Sequence, residues 1–492
     1  MKKKTSLLLA ILLLASLIQS CGGNTAADET TPSSETSTDT VSSAAESDSE
    51  TEADDTPAVE NMDGAALTIL NYTPEAMSWT NTVILVEETT GDILNDALYH
   101  REQKVEELYH CLIEENAQSD VVSTITNSVT AGDHDFDLAM LFDSKVADVL
   151  TADLLSSWNN LDLDLTQPWF DSDATKQYNF YGTQAAISGA YSLYNYSTSH
   201  AFLFNNDLKQ AHGITDDFYE LVRDGKWTVD ALYKYAAMAI NDLDGDGTMN
   251  PKNDCYGATG TVTRFYSALI TGADIRYIDR QDDGTLYYAL VGNEPAQTYM
   301  SKLVSLNNGN DIFTSGTEDI GGSDESIFPA GRALFLAEYT GKTENIRDID
   351  FDIGFLPPPK ADETQDKYYS LVEGGAQSVL PKTVQPADYH RIETILNAFA
   401  YYSYKESIPA YIDVLLMEKV ARNAESAEML ELIFDSAAYD LGTGIWSAST
   451  KNMFTQNVFL PKEDQISSTI AKTQKLVGKQ LEVFTKAVGE LK

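Results

Sequence analysis

The sequence contains few basic residues and few cysteines. It has 33 lysines and arginines against 76 aspartates and glutamates, which gives a formal net charge of −43 over 492 residues. A chain this acidic is repelled by phosphate backbones, which argues against nucleic acid as a partner. Three cysteines without a CxxC pair form neither a disulfide framework nor a zinc site, and we expect Cys111 and Cys255 to be buried, inert thiols.

Motifs of common catalytic sites are also missing. The sequence has no HExxH, no GxSxG and no phosphate-binding P-loop. Its six histidines show no spacing typical of a metal site, and we expect His134 and His200 to lie at the surface or in loops. Glycosidases use a pair of carboxylates, but such pairs arise by chance among 76 acidic residues and therefore do not indicate an enzyme. We predict that the protein is not an enzyme, and a surface-anchored glycan-active enzyme remains an alternative.

The N-terminal apolar run is too short to span a membrane. Residues 7–17 are apolar and follow three lysines at 2–4, a pattern typical of a signal peptide, which we place at residues 1–20. Ile18-Gln19-Ser20 before Cys21 resembles a bacterial lipobox and predicts diacylglycerol on the Cys21 sulfur. Two acyl chains anchor a protein stably, here at the extracellular face of the cell membrane. An ordinary signal peptide with an incidental cysteine is the alternative.

The segment after Cys21 lacks basic residues and has few large aliphatic side chains. Residues 22–64 contain no lysine or arginine and consist mostly of Ser, Thr, Ala, Asp and Glu. Such a segment cannot bury enough apolar surface to offset its chain entropy, and its like charges extend it. Together with Cys21 it is predicted to be a disordered acidic tether, and an acidic cation-binding tail is the alternative.

Alternating strand and helix patterns begin after the tether. Residues 65–72 read as a short apolar strand, residues 92–115 as an amphipathic helix, and residues 135–142 as a buried strand. This order predicts α/β units with a parallel sheet. Ligands of such sheets bind outside the carboxyl ends of the strands, which here carry Tyr72 and Asp143.

Later segments extend the same pattern. Residues 191–205 are rich in aromatics and read as extended, and Thr228 is placed to cap a helix. Strands are predicted at residues 333–339 and 351–356. From Tyr389 onward the sequence is mostly helical, with a glycine-rich break near residues 442–444.

Several of these segments, in this order, resemble the family 1 extracellular solute-binding lipoproteins. The likeness covers about residues 65–492, and its most specific part is YELVRDGKWT followed by a loop rich in Asp and Gly. The segments that carry it, besides the lipobox and tether, are REQKVEE at 101–107, YELVRDGKWT at 219–228, the Asp/Gly loop that follows, EGG at 373–375 and YDLG at 439–442.

The resemblance implies a two-lobed, periplasmic-binding-protein-like α/β fold of type 2 with a helical C-terminal region. Lobe 1 would comprise residues 65–195 and 376–425, and lobe 2 residues 196–372. The helices of 426–492 would pack on both lobes. The hinges, near residues 195–196 and 371–373, would flex when the lobes close on a ligand.

The resemblance also implies a receptor that delivers its ligand, most often a carbohydrate, to an ABC permease. Sugars need aromatic platforms beside hydrogen-bonding polar groups. Residues of these types at predicted strand ends and at the glycine-rich break are therefore candidates, and core packing is the alternative for each aromatic. The candidate ligand-binding residues are Tyr72, Asp143, Glu338, Tyr339 and Trp446. We expect a monomer, and a peptide remains the alternative ligand.

The loop NDLDGDGTMNPKND follows an EF-hand spacing of oxygen ligands and predicts a bound Ca²⁺. Position twelve holds Asn253 where the template has an acid, and Asp254 is a substitute one residue later. A single loop without a partner site predicts a structural ion, and the alternative for the loop is a metal-free acidic turn. For the whole protein, a calcium-stabilised surface scaffold is an alternative function. The candidate ligands are Asp242, Asp244, Asp246, Thr248, Asn250 and Asp254.

Overall fold

The computed structural model describes residues 55–170, 172–315, 327–346, 349–417 and 424–491. The predicted signal peptide, Cys21 and nearly all of the predicted tether lie outside these ranges. From Thr56 onward the chain belongs to one compact unit. Among the described helices, none combines the length and the apolar character needed to cross a membrane.

The described strands are short, and most are buried on both faces. In chain order they are β1 (Ala66–Tyr72), β2 (Leu112–Gln118), β3 (Leu138–Phe142), β4 (Leu155–Ser156), β5 (Asn179–Phe180), β6 (Thr183–Gln184), β7 (His200–Asn205), β8 (Tyr256–Thr259), β9 (Ile278–Arg280), β10 (Leu286–Tyr288), β11 (Phe313–Thr314), β12 (Ala333–Tyr339), β13 (Ile353–Leu356), β14 (Ser370–Leu371), β15 (Ala376–Pro381) and β16 (Ala437–Ala438).

The described helices alternate with the strands and then dominate the C-terminal region. They are α1 (Ile93–Tyr109), α2 (Val121–Ala131), α3 (Asp143–Thr151), α4 (Ser172–Gln177), α5 (Tyr194–Ser197), α6 (Asn206–Ala211), α7 (Phe218–Arg223), α8 (Val229–Met238), α9 (Val262–Gly272), α10 (Glu294–Asn307), α11 (Tyr389–Tyr402), α12 (Ile408–Met417), α13 (Ala424–Asp435), α14 (Lys451–Phe454) and α15 (Ile466–Glu490). Short π-helical turns cover Ser403–Ser407 and Thr455–Phe459.

Two five-stranded sheets organise the fold. The first sheet has the order β2-β1-β3-β15-β4, and the second has the order β11-β8-β12-β7-β13. In the first sheet β1 pairs in parallel with β2 and β3, and β15 returns antiparallel to β3. In the second sheet β8 and β12 are parallel, and β7 is antiparallel to β12. The lobe boundaries drawn from the sequence stay predictions.

The helix predicted over residues 92–115 is too long. The side chain of Asp92 caps α1, but the helix ends at Tyr109 and His110 adopts a left-handed conformation with φ 48°. The chain then forms β2, which pairs with β1 from Ala66 opposite Leu112 onward. This pairing satisfies the backbone N–H and C=O groups along that edge of β1. If the helix continued, β2 would not form and these groups would lack its hydrogen bonds. Leu112, assigned to the apolar helix face, is 47% exposed.

The chain connects the two sheets through strands that pass between them. The stretch predicted as extended over residues 191–205 contains one helical turn, α5, before β7 begins. Ser199 pairs antiparallel with Val372, and β14 pairs in parallel with β16. We call the paired segments 198–200 and 370–375 the crossing strands. Helix α15 contacts both α3, which follows the first sheet's β3, and α10.

Candidate functional site

The carboxyl ends of the parallel strands face the crossing strands. In the first sheet β1 and β3 end at Tyr72 and Phe142, and in the second sheet β8 and β12 end at Thr259 and Tyr339. In an α/β sheet this edge is where ligands bind, because the loops and helix N-termini that follow the strands surround it. We call the residues gathered here the strand-end site, and they are Trp79, Phe142, Asp143, His200, Arg264, Glu338, Tyr339, Glu373, Gln377 and Lys451.

Three aromatic side chains meet around Gly374, which has a φ of 78°. A Cβ atom at Gly374 would lie 3.8 Å from Phe142 Cε2, 3.8 Å from Trp79 Nε1 and 3.9 Å from the Tyr339 hydroxyl. Trp79 packs edge-on against Phe142 with ring centroids 5.8 Å apart and keeps 36% of its surface exposed. Aromatics from both sheets therefore border one space, and Trp79 presents an open ring to it.

Arg264 brings a charge to the same place. It lies in the first turn of α9, where its backbone N–H donates to the Thr261 hydroxyl. Its guanidinium donates to Glu338 Oε2 at 2.6 Å and lies 4.4 Å from the centre of the Tyr339 ring. Burial raises the pKa of the Tyr339 hydroxyl, which therefore stays protonated. This arrangement fixes an arginine, a carboxylate and an aromatic ring in one orientation.

Glu373 forms a buried ion pair in the crossing strand. It is bonded to Lys451 at the start of α14, and its Oε2 lies 3.4 Å from His200 Nε2. Burial would raise the pKa of Glu373, but the Lys451 ammonium and His200 outweigh it and hold the pKa well below its usual range. Burial lowers the pKa of His200, so the ring is neutral near pH 7. The surface position expected for His200 is wrong, since β7 places it inside against Tyr339.

Asp143 begins α3 and is fully enclosed. Its Oδ1 accepts hydrogen bonds from Tyr178 and Gln377, each at 3.2 Å. Burial raises the pKa of Asp143 to about 7 despite these bonds. The Tyr72 hydroxyl accepts a hydrogen bond from the backbone N–H of Phe142 at 3.4 Å, and burial raises the pKa of Tyr72 to about 12.

Several buried polar atoms at these strand ends lack a hydrogen-bond partner within the described chain. Leaving a buried polar atom unpaired costs about 1–3 kcal/mol, so such a group of atoms is typical of a site that binds a polar molecule. The atoms are Asp143 Oδ2, His200 Nδ1, Thr259 Oγ1 and Gln377 Oε1.

The structure brings together most, not all, of the ligand-binding candidates. Tyr72 and Asp143 lie at the ends of β1 and β3, and Glu338 and Tyr339 lie opposite them at the end of β12. Trp446 is buried and packs edge-on against Phe484 of α15, with ring centroids 5.1 Å apart. Their roles in binding stay predictions.

Sequence reasoning missed Trp79, Arg264 and Lys451. Trp79 lies in the polar segment TPEAMSWT after β1, and an aromatic in a polar loop beyond a strand end was the available signal. Arg264 follows Thr261, a helix cap just after a strand, which again marks the carboxyl edge. Lys451 had no local signal, because its partner Glu373 is 78 residues away.

The Asp/Gly loop (residues 241–255) is a separate structure. Carboxylate oxygens of Asp242, Asp244 and Asp246 lie within 4.8 Å of one another, close enough to share a cation. Asp242 accepts hydrogen bonds from the N–H groups of Gly245 and Gly247, and the Gly247 N–H is the main cause that lowers the Asp242 pKa.

Asp254 closes the base of the Asp/Gly loop. It is completely buried, and its two oxygens accept from the backbone N–H groups of Leu243 and Asn250 at 2.9 and 2.7 Å. Asn253, at the twelfth position, donates to Asp244 Oδ2 at 2.9 Å. Asp244 and Asp246, which are exposed, and Asp242, which is half-buried, fit a hard cation such as Ca²⁺, while Asp254 holds the backbone that presents them.

Comparison with known proteins identifies the fold. No protein-family model and no curated protein matches the sequence. Among solved structures, UspC of Mycobacterium tuberculosis is 15% identical with a TM-score of 0.56, and 86% of this chain covers 100% of that protein. An ABC substrate-binding protein of Listeria monocytogenes in complex with cycloalternan is 13% identical with a TM-score of 0.54, and the coverage is 85% and 100%.

A third structure agrees with these two. A cyclo/maltodextrin-binding protein complexed with maltotetraose is 14% identical with a TM-score of 0.53, and 87% of this chain covers 97% of it. The predicted class is therefore confirmed: the chain has the two-lobed α/β fold of type 2 periplasmic binding proteins, with a helical C-terminal region. The Listeria protein and the cyclo/maltodextrin-binding protein are binding proteins by description, and at these identities the likeness establishes the fold alone.

Proposed function

We propose that the protein is a family 1 solute-binding receptor of an ABC importer, which captures a sugar or oligosaccharide between its two lobes and delivers it to the permease. It would act without catalysis, as a monomer at the extracellular face of the cell membrane, held by the lipid on Cys21 and the acidic tether. The observation that carries this proposal is the strand-end site, where aromatic rings meet around Gly374 and buried polar atoms at the same strand ends lack hydrogen-bond partners among the described residues.

This combination suits a carbohydrate. A pyranose ring has apolar C–H faces that pack on aromatic side chains and a rim of hydroxyl groups that donate and accept hydrogen bonds. Trp79 offers the exposed aromatic face, and Arg264 with Glu338 offers a fixed donor and acceptor. Ligand hydroxyls would pair with Asp143 Oδ2 and Gln377 Oε1, which a purely apolar ligand would leave unsatisfied.

The ligands of the structural neighbours point the same way. The Listeria protein was solved with cycloalternan and the cyclo/maltodextrin-binding protein with maltotetraose, and both ligands are oligosaccharides. We therefore place glycans ahead of peptides. A glycan-active enzyme with the same ligand would release product, which chromatography of the recovered glycan detects.

The test is a thermal-shift panel on the mature chain, produced from residue 22 so that it lacks the lipid but keeps the whole compact unit, with monosaccharides, oligosaccharides and peptides. A ligand at about a hundred times its Kd adds about 2.7 kcal/mol to the free energy of unfolding. We expect one glycan class to raise the Tm of the wild type but much less that of Trp79→Ala. Tyr287→Ala, which removes an exposed aromatic on β10, serves as the matched control and should keep the shift. A Tm raised only by peptides, or by no compound, would contradict the proposal.

We also propose that the Asp/Gly loop binds one structural Ca²⁺. Asp242, Asp244 and Asp246 would supply carboxylate oxygens, and the Thr248 carbonyl and Asn250 would complete the set as in an EF-hand loop. The convergence of the three carboxylates supports this proposal. The ion would stabilise the connection between α8 and β8 and would not touch the ligand.

A further inference from the structure

The crossing strands have two faces with different surroundings. Successive side chains of a strand point to opposite sides. Glu373 and His200 face each other on the side of the strand-end site, and their neighbours Val372 and Ser199, which pair across the same ribbon, point the other way. On that opposite side lies a cavity of about 760 Å³, which Val372 and Ser199 line. We call it the rear cavity.

The walls of the rear cavity come from elements that pack on different sheets. Tyr404 and Ile408 line one wall, on the π-helical turn and α12 that continue from α11, a helix in contact with β1. Phe434 lines the other wall, on α13, which contacts β13 of the second sheet. Tyr196, just before the crossing strand, packs edge-on against Phe434 with ring centroids 5.4 Å apart. The volume is that of a small-molecule site.

The charges of the rear cavity are mainly negative. Among the described residues that line it, Asp173, Glu431 and Asp435 supply carboxylates and Lys405 supplies an ammonium. The Asp173 carboxylate is oriented by a 2.7 Å hydrogen bond from the backbone N–H of Tyr439. The Lys405 ammonium lies 5.7 Å from the ring centroid of Tyr404. Aromatic rings together with an excess of carboxylates attract an organic cation, through the ring faces and through charge.

We propose that the rear cavity is a second ligand site, which takes an organic ammonium compound with an apolar body. The ammonium group pairs with Glu431 and Asp435, and the apolar body packs among Phe434, Tyr404 and Ile408. The occupant differs from the glycan in chemistry and lies on the other side of the crossing strands. It therefore does not compete directly with a ligand at the strand-end site.

Occupancy of the rear cavity is coupled to the spacing of the lobes. A rotation about the crossing strands changes the distance between the α12 wall and the α13 wall, so an occupant stabilises the spacing that fits it. Any resulting change in glycan affinity must appear equally as a change in ammonium affinity, because coupling between two sites is reciprocal. The rear cavity thus allows a second ligand to act on the spacing of the lobes.

The test is calorimetric titration of the mature chain with phenethylammonium chloride and, separately, with neutral 2-phenylethanol. We expect the ammonium compound to bind at one site, at least about tenfold more tightly than the alcohol. The double variant Glu431→Gln/Asp435→Asn should lose about tenfold in affinity, and Phe434→Ala should weaken both probes. Glu87→Gln/Glu88→Gln, which removes two exposed charges elsewhere, should leave the affinity unchanged.

Three results would overturn the proposal: no binding of the ammonium compound at millimolar concentration, equal binding of the alcohol, or equal losses in the two double variants. The last result would mean that the net charge of the chain attracts the probe without a site. Each variant is first compared with the wild type by its Tm, and Glu431 and Asp435 are exposed, so their amides should leave the fold intact.

Discussion

The strand-end site and the Asp/Gly loop both concentrate acidic and polar groups, but they are built in different ways. The loop draws its carboxylates from within 13 residues, keeps three of them exposed or half-buried, and satisfies their oxygens with its own backbone N–H groups. The strand-end site draws residues from Trp79 to Lys451, buries most of them, and leaves several atoms without hydrogen-bond partners in the part of the chain that the structure describes. A loop of the first kind organises itself around an ion, whereas a site of the second kind depends on the whole fold and on a ligand.

The largest effect that distinguishes the strand-end site from the Asp/Gly loop is expected when the buried ion pair of the strand-end site is broken. Lys451→Met leaves Glu373 buried without its main partner, and we expect the free energy of unfolding to fall by about 3–5 kcal/mol. The double variant Glu373→Gln/Lys451→Met removes both charges and should recover much of this loss. Denaturant unfolding measures both, and an unchanged midpoint for Lys451→Met would show that the pair is not buried as described.

Above about pH 4, the pH dependence of stability should report on Asp143 and not on the loop, because the lowered pKa of Asp242 places its titration in more acidic solution. Because the folded-state pKa of Asp143 is raised to about 7, its contribution to stability is fully present below the unfolded pKa and is lost as pH rises through about 7. The total loss is roughly 4 kcal/mol at 1.36 kcal/mol per pKa unit. Subtracting the pH profile of the free energy of unfolding of Asp143→Asn from the wild-type profile isolates the contribution of Asp143. A difference that is flat between pH 4 and 7 would contradict the raised pKa.

Calcium should act on the loop alone. At about a hundred times its Kd, Ca²⁺ adds about 2.7 kcal/mol to the free energy of unfolding, and chelation removes this gain. Asp242→Asn/Asp246→Asn should abolish the response, whereas Asp282→Asn, an exposed aspartate outside the loop, should keep it. Glycan affinity should be the same with Ca²⁺ and with chelator. A glycan response that requires Ca²⁺ would mean that the two regions are not separate.

The smallest effect is expected at the exposed ring of Trp79. Trp79→Ala removes one stacking surface and leaves the buried polar atoms in place, so we expect a loss of glycan affinity of about tenfold, or about 1.4 kcal/mol. Titration calorimetry with the glycan that gives the largest Tm shift measures it, and Tyr287→Ala is the control. Equal affinity for wild type and Trp79→Ala would place the ligand away from this ring.

The contrast also explains what the sequence predicted. The α/β order, the cap at Thr228 and the convergence of Asp242, Asp244 and Asp246 depend on residues close in the chain, and the structure has all three features. The prediction of a helix through residue 115 is wrong because residues 112–118 pair with the open edge of β1. No local sequence pattern indicates this pairing. The pairing of Glu373 with Lys451 is likewise a product of tertiary structure.

We propose that the strand-end site holds a glycan without changing it. Equilibrium dialysis of the mature chain with the glycan that raises its Tm, followed by chromatography of the recovered glycan, tests this directly. About one molar equivalent of glycan should be retained and recovered intact. Recovery of shortened products would make the protein an enzyme, and no retention of any glycan would contradict the receptor function.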